Sequence, residues 1–112
     1  MYRDALQNFI SHSGGVDGVI FVDSEGEAID LVGSVAEYDL KVIGAHFSIL
    51  FNAINGFDEQ PNSIFVTMQP YVLGMYRLSK EYFLLVLYAS SYHAIMNKLR
   101  VQELMRFIKG SL

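Results

Sequence analysis

The chain has 112 residues with net charge −4, enough for one domain around one core spanning residues 1–112. Apolar residues make up 52% and charged residues 18%, a high ratio for a small domain with much surface. No cysteine is present, which excludes a disulfide framework, a thiolate nucleophile and sulfur-ligated zinc.

The first ten or so residues place Tyr2, Leu6, Phe9 and Ile10 on one helical face, and Ser13-Gly14-Gly15 stops the helix. Val16 to Val22 follows as a strand. Asp23-Ser24-Glu25-Gly26 is turn chemistry, and Glu27 to Val32 is the returning strand, with Ile29 and Leu31 facing away from Asp30. Ser34-Val35-Ala36-Glu37 has the form of a capping box for the longest helix, to about Asn55. Asn55-Gly56-Phe57 ends it before the polar loop 58–62. Three strands come next, Ser63 to Gln69, Tyr71 to Leu78 and Tyr82 to Ala89, with connections short enough for an antiparallel meander. Tyr82 to Ala89 is apolar on both faces and should lie centrally. Ser90 or Ser91 caps a last helix, about Tyr92 to Lys109. The order α-β-β-α-β-β-β-α predicts an α+β fold, a five-stranded antiparallel sheet with helices on both faces.

The long helix carries two apolar stripes at about 100° per residue. Leu40, Ile43, Phe47, Leu50, Phe51 and Ile54 form the stripe any sheet-packing helix needs. Val42, Ala45, Ile49 and Ala53 form a second on roughly the opposite side, with Lys41, Ser48, Asn52 and Asn55 as a narrow polar strip. A second copy of the helix or another helix of the same chain could cover the second stripe; apolar patches of this kind mark interfaces, which favours the second copy. His46, at the edge of this stripe, is either a rim histidine or a pH-sensitive contact across a two-fold.

Convergent polar groups are missing, so no catalytic residue, metal ligand or cofactor is assigned. His12, His46 and His93 fall on three different helices without an HExxH pattern, and the serines fall mostly at turns and caps. Asp17, Asp23, Glu25, Glu27 and Asp30 cluster at the first hairpin without the spacing of a calcium loop, and read as a solvated rim. Gly14-Gly15-Val16-Asp17-Gly18 lacks the Gly-Lys-Ser/Thr tail of a phosphate loop and leads into a strand. Tyr71, Tyr76, Tyr82, Phe83 and Tyr88 could stack on nucleic acid. The eight Lys and Arg are scattered, however, so sheet core and protein contacts are favoured and no nucleic-acid partner is expected. The longest apolar run, Tyr82 to Ala89, is far short of the roughly 20 residues of a membrane span, and Met1 to Leu6 has no signal-peptide core. A cytoplasmic protein without a span is expected.

The segment Gly15-Val16-Asp17-Gly18-Val19-Ile20-Phe21-Val22-Asp23-Ser24-Glu25-Gly26 resembles the opening of the roadblock/dynein light-chain family, and Leu99-Arg100 falls where bacterial members often carry Leu-Arg. The element order extends the resemblance over nearly the whole chain. It implies a roadblock/profilin-like fold and a homodimer in which the third strands and long helices pair across a two-fold. The implied seam is Val42, Ala45, His46, Ile49 and Ala53 with Ile64, Val66 and Met68 of the edge strand. The resemblance further implies a non-catalytic regulator or scaffold for a Ras-like small GTPase, with neither Arg77 nor Arg100 acting as an arginine finger. A structural light-chain subunit and a small-ligand sensor are the other readings.

Overall fold

Asp23 closes the first hairpin. Its Oδ1 accepts from the backbone N–H groups of Glu25 (2.9 Å) and Glu27 (3.0 Å), and Gly26 takes the positive φ of 86° that the turn requires. The computed structural model, which describes residues 2–54 and 62–112, runs α1 (Tyr2–Ser11), β1 (Val16–Asp23), β2 (Ala28–Gly33), α2 (Glu37–Ile54), β3 (Ser63–Met68), β4 (Tyr71–Arg77), β5 (Tyr82–Tyr88), α3 (Ser91–Met96) and α4 (Lys98–Lys109). The expected helix end at Asn55-Gly56-Phe57, and the loop as far as Pro61, lie outside the described residues.

The five strands form one antiparallel sheet in the order β2-β1-β5-β4-β3. β5 is central, as its two apolar faces require: Phe83, Leu85 and Leu87 point to one layer, and Leu84, Val86 and Tyr88 to the other. Among the described helices only α2 lies on the first face, over Ile20, Val22 and Leu31. α1, α3 and α4 share the other, where Leu6, Phe9, Ala94, Val101, Leu104 and Ile108 pack on Val19, Phe21, Val86 and Tyr88. Burying a large apolar side chain contributes about 1.5–3 kcal/mol, so these two layers dominate the stability of the fold.

Two expectations are corrected. Ser34 does not cap α2: its backbone N–H and hydroxyl both donate to the carbonyl of Asp17 (3.0 and 3.3 Å), and the first helical bond runs from Leu40 N to Ala36 O. The C-terminal helix is broken. Ser90 caps α3, accepting from His93 N, but Asn97 leaves the helix and its buried Nδ2 donates to the carbonyls of Gly14 and His93, both at 2.8 Å. That side chain fastens the α3–α4 joint to the end of α1. Gly15, at φ 72°, admits the ring of His93, which any Cβ there would overlap.

Candidate docking face

α2 buries Leu40, Gly44, Ser48 and Phe51, one side of the helix at spacings of four, four and three. Gly44 brings the backbone down onto Val22, whose Cγ1 would stand 3.0 Å from a Cβ at that position. Ser48 belongs to this buried side and not to the polar strip. It lies over Gly26 of the first turn, and Asn52 donates to the carbonyl of Ser24 in the same turn. Leu50 is the converse correction. Placed in the sheet-facing stripe, it is instead 42% exposed.

The outer side holds Val42, Ala45, His46, Ile49 and Ala53, all exposed, Ile49 by 64%. No other helix of the described residues covers them. Tyr38, 75% exposed, sits one turn before Val42 and lengthens the stripe. Its i, i+4 spacing to Val42 is the sequence signal for that extension. The ring of His46 meets that of Phe47 edge-on at 5.2 Å.

β3 is an edge strand, paired with β4 alone among the described strands. Its residues alternate cleanly. Ile64, Val66 and Met68 are half-buried on the face that carries α2, while Ser63, Phe65 and Thr67 are exposed. The structure thus puts the three β3 residues and the outer stripe of α2 on the same side of the sheet. The two sheet edges differ. β2 carries Asp30, ion-paired to Arg3 at 3.3 Å, and its register with β1 is irregular at Phe21/Val22. β3 has no charged residue and a regular register, so it lacks the usual devices that blunt an edge against pairing.

The other singled-out residues serve the scaffold. Asp23 is spent on the hairpin, and Asp30 on Arg3 and the N–H of Leu31. The guanidinium of Arg77 lies over the rings of Phe51 and Phe83, at 4.7 and 5.6 Å. The hydroxyls of Tyr76 and Tyr88 meet in the opposite layer; burial pushes the Tyr76 phenol up to about 12 and raises that of Tyr88 as well. A feature the sequence did not reveal is an open groove of about 900 Å³ between α3–α4 and β3–β4. Phe65, Val72, Val101 and Met105 line it, and Lys98 and Lys109 edge it.

No protein-family model matches the sequence, and no curated protein matches it significantly. Solved structures do. A Roadblock/LC7 domain from Streptomyces avermitilis superposes with TM-score 0.81 at 12% identity, covering 97% of this chain and 95% of that one. The chain has the roadblock fold. Two further roadblock-fold neighbours agree: MglB of Myxococcus xanthus (TM-score 0.81, 14% identity, 97% and 92% covered) and the gliding protein MglB of Thermus thermophilus (0.77, 11%, 99% and 90%). The roadblock segment quoted from the sequence is β1 with its turn, and Leu99-Arg100 opens α4.

Proposed function

We propose that this roadblock-fold chain is a homodimeric, non-catalytic regulator that binds a Ras-like small GTPase. One observation carries the dimer: an exposed apolar stripe on α2 and a bare, uncharged edge at β3 lie on the same side of one sheet. Joining β3 to its symmetry mate would satisfy the free backbone edge, and would bring Val42, Ala45, Ile49 and Ala53 towards the same residues of the second copy. His46 then lies at the rim, and equal dimer mass at pH 5 and pH 8 is expected of a rim histidine.

The GTPase follows from the resemblance in the first hairpin and from the similarity in fold to MglB proteins. The role needs no catalytic group on this chain, since a dimer can act by holding its partner in one conformation. The deciding experiment is binding to a Ras-like GTPase encoded in the same genome, loaded with GDP or with a non-hydrolysable GTP analogue. Nucleotide-dependent affinity supports the reading; equal or absent binding overturns it. If binding is found without any change in GTP turnover, the chain is a scaffold of the light-chain kind. The small-ligand reading draws on the groove beside β3, whose volume falls in the usual range for ligand sites.

A further inference from the structure

The α3–α4 corner carries a second cluster of exposed apolar side chains, apart from that on α2. Tyr92, Ile95 and Met96 of α3 and Leu99 of α4 stand 61–75% exposed. At about 100° per residue, Leu99 points directly away from the buried stripe Val101, Leu104 and Ile108, with Lys98 and Arg100 on either side of it. Lys98 and Arg100 are both exposed. No carboxylate occurs between Glu81 and Glu103.

Charge is divided along the chain in the same sense. Residues 1–60 carry ten carboxylates against two Lys or Arg, while residues 61–112 carry two against six. In a protein of net charge −4, Lys98 and Arg100 put two cations at this apolar corner, and Arg100 shares a hollow with Asp4 and Glu103 on its α1 side. The fastening of Asn97 to Gly14 holds this corner outward.

We propose that the α3–α4 corner docks peripherally on an anionic lipid surface, with Tyr92, Ile95, Met96 and Leu99 entering the headgroup boundary and Lys98 and Arg100 meeting lipid phosphates. Two features favour lipid over an acidic protein. Tyr92, Met96 and Leu99 protrude outside the neighbouring groove, and Ile95 and Lys98 stand at its wall. Long aliphatic residues and a tyrosine flanked by cations are also the composition of interfacial helices. No helix among the described residues is long and apolar enough to cross a membrane, so the contact is superficial.

The chain has no tryptophan, so Leu99→Trp installs a single reporter. The full chain is mixed with vesicles of phosphatidylcholine containing about two-fifths phosphatidylglycerol, and with phosphatidylcholine alone. Flotation with the anionic vesicles, with a blue shift of the indole emission, is expected only in the first case. Replacing Lys98 and Arg100 together by Gln should weaken partitioning about thirtyfold, roughly five- to sixfold per cation. Ile95→Ser with Leu99→Ser should abolish it, and Lys41→Gln on α2 should leave it unchanged. These side chains are exposed, so the thermal transition should hardly move. The absence of flotation, equal flotation with both vesicles, or wild-type flotation of the Ser pair each overturns the proposal. Capture of an acidic protein without vesicle binding also overturns it, and assigns the corner to that protein.

Discussion

The hydroxyls of Tyr76 and Tyr88 meet 2.6 Å apart in the layer beneath α3 and α4, an arrangement that Gly74 permits because a Cβ there would stand 2.8 Å from the Tyr76 oxygen. Both phenols hold their protons more tightly in the folded chain, chiefly through burial. Groups raised on folding contribute fully below the unfolded tyrosine value of about 10, and that contribution declines as pH rises through the folded value of about 12 for Tyr76. Denaturant midpoints should therefore fall steeply from about pH 10 upward. The double variant Tyr76→Phe/Tyr88→Phe should fall less; an unchanged slope would dismiss the pair as the cause.

Ile49→Asp puts a carboxylate into the proposed seam while changing a residue that is 64% exposed in the single chain. Light scattering should report a monomer, with the dimer weakened by at least about a hundredfold, and circular dichroism should be unchanged. A stable Ile49→Asp dimer would move the seam elsewhere.

Thr67→Lys tests the other half of the same seam. Thr67 is exposed on β3, and a charged residue is a common way to block pairing at an edge. The monomer should retain its stability within about 0.5 kcal/mol, and sedimentation velocity should show dissociation.

Gly26→Ala forces an alanine into a φ of 86° and sets its Cβ 2.9 Å from the Ala45 backbone. Backbone strain of that kind costs about 1–3 kcal/mol, and the hairpin must also lift from α2. A lowered Tm, with faster hydrogen exchange in α2 than in α4, is the expected outcome.

Asn97→Ala removes both bonds that fasten the helix joint to Gly14 and His93. Loss of about 1–3 kcal/mol is expected, at about 0.5–1.5 kcal/mol for each of the two side-chain hydrogen bonds removed. A variant as stable as the parent would show that the joint needs no tether.

What was legible in the sequence was local. The Asp23–Gly26 turn uses side-chain and glycine chemistry confined to four residues, and β5 announces its central place by being apolar on both faces. Errors arose where a distant partner overrode local character. Ser48 reads as polar surface, yet the first hairpin turn, more than twenty residues away, covers it. The last helix reads as one segment from Tyr92 to Lys109, yet Asn97 bonds to Gly14 across 83 residues and breaks it into α3 and α4. Leu50 reads as core beside Phe51, yet it stands about 100° round the helix from it and is exposed. The groove could not be read at all, since it joins β3 and β4 to helices some thirty residues further on.

A pair of chains joined antiparallel through β3 would share a two-fold perpendicular to the sheet, so both α2 helices would fall on one side and both α3–α4 corners on the other. Whatever occupies the α2 side would leave the corners free, and the two corners would face a surface in the same plane. Each contact can then be feeble while the pair holds by avidity, so changes in chain concentration would register as attachment or release.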